Sequence, residues 1–185
     1  MCMFRDLRAD EIECRVARVN EYGVNLLLYK DARCDMSILD ETVGADRWQR
    51  VHDVVNGNLY CSVGIRFDRE QGFGEWVYKQ DVGVESNTEK EKGQASDSFK
   101  RACFNWGIGR ELYTAPDIKI APQDCNIKER NGKWNCYDSF SVQKIVIEKK
   151  RIVALAIKNL TTKRTCYIFQ DPKWEAERNK GEQNA

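Results

Sequence analysis

Two adjacent cations, Lys100 and Arg101, lie inside a stretch of strong helical periodicity. In an α-helix their side chains are rotated by about 100° and about 200° from Phe99, away from the apolar stripe that such a helix buries. Cations on a helix face that is held in place are suited to binding phosphate groups. The spacing also fits a solvated face with i, i+4 ion pairs, and spacing alone favours this second interpretation. The apolar stripe comprises Ala95, Phe99, Ala102, Cys103 and Trp106.

Four further cations are candidates for the same role. Lys30 and Arg33 lie where a predicted strand passes into a predicted helix, a junction that suits a binding groove and a salt-bridged cap equally well. Lys90 and Lys92 precede Lys100 by about two helical turns or more.

Aromatic residues stand next to several cations, and stacking contributes about 1–3 kcal/mol per base in single-strand binding proteins. Aromatic side chains on strands more often pack in a core or an interface, so the pattern fits both interpretations. The neighbours are Tyr29 with Lys30, Trp76 and Tyr78 with Lys79, and Phe104 with Arg101.

Several catalytic signatures are missing from the sequence. It contains no GxxxxGK[ST] loop, no GxSxG, no HExxH and no CxxC pair, and its single histidine is His52. We therefore expect no ATP-driven activity, no catalytic residues, no metal site and no cofactor. The eight cysteines stand at wide spacings and are expected to be small buried side chains, kept reduced in a cytosol.

One enzymatic interpretation survives, a Mg²⁺-dependent nuclease. Glu148 and Lys150 form a Glu-x-Lys segment at the end of a predicted strand, with Asp138 upstream. In such a site the carboxylates hold the metal and the lysine steadies the attacking water. Glu-x-Lys also arises by chance in a chain with 32% charged residues.

The bulk properties are those of one globular domain, or of one domain with a small appendage. The chain has 185 residues, of which 30 are basic and 29 acidic, for a formal net charge of +1. This balance is compatible with nucleic-acid binding, because a local stripe of cations can bind phosphates while acids lie elsewhere. No apolar run reaches the roughly 18–20 residues of a membrane span, and the first residues contain no apolar leader. We expect an intracellular protein.

The elements that position the cations follow from periodicity. Ile12, Val16 and Val19 recur at helical spacing, which predicts an early helix that ends before Gly23. The first predicted elements are a helix over residues 8–19, a strand over 24–30 and a helix over 35–43, closed by Gly44.

The clearest pattern is a three-stranded antiparallel meander followed by a long helix. The turn pair Asn56-Gly57 joins the first two strands, and a capping box of Ser86 and Glu89 marks the start of the helix, which ends at Gly107. The three strands are predicted at residues 48–55, 58–67 and 75–84. The fold class is therefore α+β with a β-β-β-α core.

The pattern changes after Pro116. A second small meander is predicted, while residues 117–140 read as irregular and the polar C-terminus as a loose tail. The strands of this meander are predicted at residues 141–148, 151–158 and 164–169. The predicted organisation is a core over residues 1–113, a small β-rich extension over 114–170 and a flexible tail over 171–185.

Three segments together resemble a known family. Asp81-Val82-Gly83, the run from Ala95 to Ala102 with the sequence ASDSFKRA, and Trp106-Gly107 are similar to the hallmark of the Rad-fifty-two recombination mediators. That hallmark reads D-V-G, then A-[ST]-D-x-[LF]-K-R-A-x-x-x-[FW]-G. The resemblance covers roughly residues 5–113 and is strongest to the short phage-encoded, Sak-type branch.

The resemblance implies a ring-forming, single-strand annealing type of β-β-β-α core. It implies ATP-independent annealing of single-stranded DNA in recombination and double-strand break repair, with no nucleotide cofactor. Lys100 and Arg101 would line the DNA groove, Arg33 would join them by a looser alignment, and Lys90 and Lys92 would correspond to a second, outer site. The implied location is the cytoplasm of a bacterial or phage-infected cell, including association with the nucleoid.

Three other functions stay open. A passive single-strand binding protein would coat DNA but slow annealing, a Mg²⁺-dependent nuclease would shorten it, and a structural protein with incidental charge would show no salt-dependent DNA binding.

Overall fold

A computed structural model describes residues 4–69, 72–84 and 90–183. Within these residues the chain is a mixed α+β fold of antiparallel strands and three α-helices, which confirms the predicted class. The strands are Glu13–Asn20 (β1), Gly23–Tyr29 (β2), Trp48–Val55 (β3), Asn58–Arg69 (β4), Gly72–Val82 (β5), Ile118–Ile120 (β6), Ile127–Arg130 (β7), Lys133–Cys136 (β8), Phe140–Glu148 (β9), Arg151–Asn159 (β10) and Arg164–Gln170 (β11). The helices are Ala32–Val43 (α1), Lys90–Trp106 (α2) and Pro172–Gln183 (α3). None of these helices is long and apolar enough to cross a membrane.

The chain divides into two compact units. Unit 1 comprises residues 1–6 and 31–109, and unit 2 comprises residues 7–30 and 110–185. The change from unit 1 to unit 2 after residue 109 lies four residues before the predicted end of the core at residue 113. The early residues 7–30, however, group with the C-terminal half of the chain, because β1 pairs with β9 and β2 pairs with β6.

Unit 1 contains the predicted β-β-β-α arrangement. The strands form one antiparallel sheet in the order β3-β4-β5, and Asn56 and Gly57 turn between β3 and β4 with φ angles of 52° and 78°. Both positive angles fit the tight hairpin turn that the Asn-Gly pair predicted. Helix α2 packs across β4 and β5.

The core of unit 1 lies between α2 and the inner face of this sheet. Phe99 of α2 is fully buried, its ring centroid lies 6.0 Å from that of Trp48, and the Arg50 guanidinium lies over it at 4.8 Å. Burial of a side chain of this size contributes about 1.5–3 kcal/mol. The Trp106 indole donates to the carbonyl of Val63 at 2.9 Å, which attaches the end of the helix to the central strand. Further fully buried apolar residues of β4 and α2 are Cys61, Val63, Ile65, Ala102 and Cys103.

Unit 2 contains a six-stranded sheet in the order β11-β10-β9-β1-β2-β6 and a separate hairpin of β7 and β8. The predicted second meander is confirmed as β9, β10 and β11. Residues 117–140 are more regular than predicted, because Asn131-Gly132, with φ angles of 54° and 74°, forms a second tight turn between β7 and β8. This turn signal was present in the sequence.

The predicted helix over residues 8–19 is wrong. The segment forms a 3-10 turn at Ala9–Glu11 and then strand β1, which pairs with β2 through the turn that ends at Gly23. A bulge in β1 between Val16 and Arg18 shifts the register. Apolar residues on either side of the bulge stand three positions apart instead of the two of a regular strand, and this spacing imitates that of a helix.

The C-terminal segment, predicted as a loose tail, is helical over Pro172–Gln183. Helix α3 begins after Asp171, whose carboxylate accepts a hydrogen bond from the Lys173 amide at 2.9 Å. Pro172 occupies the first helical position, where its missing N–H costs nothing. The Trp174 indole donates to Glu148 at 2.6 Å. The capping box predicted at Ser86 and Glu89 lies outside the described residues.

A buried carboxylate organises the loops of unit 2. Asp138 accepts hydrogen bonds from the Asn126 amide at 2.7 Å, the Asn126 side chain at 2.8 Å and the Asn159 side chain at 2.8 Å. Burial alone would raise the pKa of Asp138, but these hydrogen bonds outweigh it and hold the pKa below its ordinary value. The ionised carboxylate is therefore the form that stabilises the fold.

We expect Asp138→Asn to lower the free energy of unfolding by about 1–3 kcal/mol. The new side-chain NH2 group would face the hydrogen-bond donors of Asn126 and Asn159, and some of these donors would lose their acceptor. Because the folded pKa is lowered, the carboxylate contributes its stability above about pH 4 and loses it as the pH falls through the folded pKa. Urea denaturation of both proteins between pH 3 and pH 7 measures this. If the difference in the free energy of unfolding between the two proteins does not narrow toward low pH, the prediction is wrong.

Candidate nucleic-acid interface

Asp81-Val82-Gly83 and the helix that contains the ASDSFKRA run meet at Gly83. A Cβ added to Gly83 would lie 2.1 Å from the backbone carbonyl oxygen of Gln94 and 2.8 Å from the backbone nitrogen of Ser98. Both atoms belong to α2, so only glycine lets the helix approach the end of β5 this closely. The glycine of the Asp-Val-Gly segment is thus explained by packing.

Hydrogen bonds also hold this contact between Gly83 and α2, which we call the joint at Gly83. The Asp97 carboxylate accepts from the Val84 amide at 3.0 Å, and the Gln94 side chain donates to the Gly83 carbonyl at 3.3 Å. Ser98 is fully buried and donates to the Ala95 carbonyl at 3.0 Å. Asp97 of the ASDSFKRA run and Gln94 just before it therefore attach α2 to the residues that follow β5.

Arg101 lies over the edge of the sheet and is oriented by Asp81. Its Nε is 3.3 Å from the Asp81 carboxylate, and the Asn105 side chain donates to the same carboxylate at 3.2 Å and to the Gln80 carbonyl at 3.0 Å. The Arg101 side chain remains 42% exposed. An ion pair this exposed contributes little stability, so its main effect is to direct the guanidinium.

Lys100 is the neighbouring cation and is half-buried. Within the described residues, no carboxylate forms an ion pair with Lys100. The buried side of α2 sets the direction in which the Lys100 side chain leaves the helix. Lys100 and Arg101 thus form a cationic pair on a helix whose rotation is set by the core.

Lys79 has a structural position that the sequence did not predict. Its ammonium group donates to the Asn105 carbonyl at 2.8 Å and lies 4.5 Å from the centre of the Trp106 ring. A cation at the C-terminal end of a helix is stabilised by the helix dipole. Trp76 and Tyr78 precede it in β5 and lie on the other face of the sheet, because side chains alternate along a strand.

Of the remaining predicted cations, Arg33 is the best placed. It is exposed in the first turn of α1, where its amide donates to the Asp31 carboxylate at 2.7 Å, and α1 packs against α2. Lys92 is exposed in the first turn of α2. Lys30 is only 7% exposed, which does not suit a phosphate contact. The side chain of Lys90 lies outside the described residues.

The carboxylates proposed for a nuclease do not meet. Asp138 precedes β9 and Glu148 ends it, so about eight residues of strand, or roughly 26 Å, separate them. The Asp138 carboxylate already accepts hydrogen bonds from Asn126 and Asn159. Among the described residues, no group of three or more His, Cys, Asp or Glu side chains is arranged to hold a metal ion.

The described cysteines are free thiols, buried or half-buried. Burial raises the pKa of Cys61 to about 11, and burial together with the neighbouring Cys166 raises the pKa of Cys14 to about 12. At neutral pH these thiols are protonated, and they behave as small apolar side chains, in line with the sequence prediction.

A scan against protein-family models and a search of curated proteins find no match to this chain.

The joint at Gly83 yields a stability prediction. We expect Gly83→Ala to lower the free energy of unfolding by about 1–3 kcal/mol, because a methyl group cannot fit against the Gln94 carbonyl without moving α2. Thermal and urea denaturation measure the change. Gly57→Asn is the control, since no atom lies within 4 Å of a Cβ there and asparagine tolerates the positive φ. Equal stability of Gly83→Ala and the wild type would refute the packing role.

Proposed function

We propose that the protein binds single-stranded DNA and anneals complementary strands without ATP, as a member of the Rad-fifty-two type of annealing proteins. The observation that carries the proposal is the joint between Asp81–Gly83 and α2. It unites the two halves of the motif and supports Lys100 and Arg101 on a rigid helix.

The chemistry of annealing suits this arrangement. The reaction forms no covalent bond, so it needs only that the sugar-phosphate backbone is held while the Watson–Crick edges stay available. Lys100 and Arg101 supply two phosphate contacts, and Arg33 adds a third on the adjoining helix. Asp81 directs Arg101 through a weak ion pair that a phosphate can replace.

The charge of the two units differs. Unit 2 contains 19 of the 30 basic and 14 of the 29 acidic residues, a net charge of +5, which leaves 11 and 15, or −4, in unit 1. The positive field of unit 2 would attract a polyanion over a distance, whereas unit 1 would bind it through local cations. This distribution is compatible with DNA binding at a total charge of only +1.

Annealing by the wild type and by Lys100→Ala/Arg101→Ala tests the proposal. Two complementary labelled oligonucleotides are mixed without ATP, and duplex formation is followed over time. We expect the wild type to accelerate annealing and the double variant to lose most of the effect. Since each phosphate contact adds about 0.7 to the slope of log affinity against log salt for a single strand, that slope should fall by about 1.4.

Lys119→Ala/Lys128→Ala is the matched control, because it removes the same formal charge from β6 and β7 of unit 2. It should retain annealing and the salt slope. Equal losses in both variants would mean that overall charge, and not the site on α2, governs binding. A wild type that binds but does not accelerate annealing is a coating protein, and shortened strands on addition of Mg²⁺ would indicate a nuclease.

We also propose that the protein assembles into a homo-oligomeric ring. Strands β3 and β5 are the two edges of the unit 1 sheet, and each pairs with β4 on one side only. Edge strands offer unpaired backbone groups to a neighbouring chain. Sedimentation velocity at micromolar concentration should show a species several times the 21.5 kDa mass of the chain. A stable monomer would refute the assembly.

A further inference from the structure

Lys100 leaves α2 on the side of the helix that faces β3. The opposite side is marked by Asn105, which donates to β5, and by Gln94, which donates to the Gly83 carbonyl just after β5. Successive residues of an α-helix are rotated by about 100°. Viewed along the axis, Lys100 therefore lies about 100° from the buried Phe99 in one direction, and Asn105 lies about 120° from it in the other.

Arg50 of β3 lies on this same side of the helix. It pairs with Val63, which is fully buried against α2, so its side chain stands on the α2 face of the sheet. The residue is exposed, yet its guanidinium lies 4.8 Å from the centre of the buried Phe99 ring. The contact with the ring holds the charged group beside α2.

The direction of β3 brings Arg50 to the level of the Lys100 side chain. Two residues beyond Arg50 on β3, His52 Nε2 lies 3.3 Å from the Ala95 carbonyl oxygen. Strand β3 therefore runs opposite to α2, and Arg50 lies beside the helical turn that precedes Lys100. Because side chains of a helix point toward its N-terminus, the Lys100 side chain is directed toward this same turn.

The positive charge of Arg50 and Lys100 is not neutralised within the part of the chain that the structure describes. Neither side chain forms an ion pair with a described carboxylate. The neighbours of Arg50 on the α2 face of the sheet are Trp48 and His52 on its own strand and Val63 opposite, and none of these is acidic. The N–H donors of the Arg50 guanidinium are thus available to a ligand.

Two acids on this side of the sheet have partners of their own. Asp81 lies on β5, on the far side of β4 from β3, and pairs with Arg101. Asp40 of α1 accepts the hydrogen bond of the Trp48 indole at 2.6 Å. The charge beside Arg50 is therefore complementary to an anion.

We propose that Arg50 is a further phosphate contact of the DNA site, and that the bound strand passes from Lys100 down the β3 side of α2. A guanidinium held flat on a ring can donate two parallel hydrogen bonds to one phosphate. In the proposed ring, a neighbouring strand would pair with the backbone edge of β3 and leave the Arg50 side chain on the α2 face. The proposal rests on the proposed function and extends its site from the helix to the sheet.

The salt dependence of binding tests this role, measured by fluorescence anisotropy with labelled oligo-dT. Arg50→Met removes the charge but keeps a flexible apolar side chain over Phe99. Its slope of log affinity against log salt should be smaller than that of the wild type by about 0.7, the contribution of one phosphate contact in a single strand. Arg50→Gln should give the same loss, and Arg50→Lys should retain the slope. Thermal denaturation establishes that each variant is folded.

Arg18→Met is the matched control. Arg18 is also an exposed arginine on a strand, in β1 of unit 2, and no described carboxylate pairs with it. The substitution removes the same formal charge, so it should leave the salt slope of the wild type unchanged.

The outcomes separate this proposal from the proposed function. If Lys100→Ala/Arg101→Ala lowers the slope but Arg50→Met does not, Arg50 makes no phosphate contact and the annealing function stands. A loss of affinity in Arg50→Met at an unchanged slope would show a structural role and overturn the proposal. Equal changes in Arg50→Met and Arg18→Met would also overturn it, because overall charge would then be the cause. If the wild type does not bind oligo-dT, the proposed function fails and the Arg50 contact fails with it.

Discussion

The close approach of α2 to the end of β5 at Gly83 is the constraint on which the arrangement of unit 1 depends. With any side chain at this position, the Gln94 carbonyl would have to move, and with it the rotation and depth of the helix. That rotation decides that Phe99 enters the core and that Lys100 and Arg101 do not. A helix held by its buried face presents charge at fixed positions, which is why the packing of one glycine bears on a surface site.

The three-stranded sheet separates two kinds of surface by the alternation of its strands. On the α2 side, Lys79 supports the helix end and Asp81 directs Arg101. On the outer side, Trp76 and Tyr78 stand on the same strand, where Trp76 is half-buried and Tyr78 is exposed. A shift of one residue in the register of β5 would exchange these roles, so the pairing with β4 determines both surfaces together.

Unit 2 depends on a different kind of constraint. Its loops converge on the Asp138 carboxylate, which satisfies three donors from Asn126 and Asn159. A buried carboxylate with this many partners stays ionised and holds the segments around it in one arrangement. Some of the positive charge of the unit lies at turns, at Lys149, Lys150 and Lys163.

Elements with local sequence signals could be predicted before folding is considered. The meander β3–β5 and helix α2 follow from alternation, the Asn56-Gly57 turn and a 3.6-residue period, each of which is written within one short segment. Only the tertiary structure decided the rest. The bulge in β1 appears in its pairing with β2, Lys30 is buried, and Asp81 contacts Arg101 across 20 positions of the chain. Periodicity reports which face of an element is apolar, but not what a distant segment places against it. The pairing of a cation and the exposure of an aromatic ring are therefore properties of the folded chain.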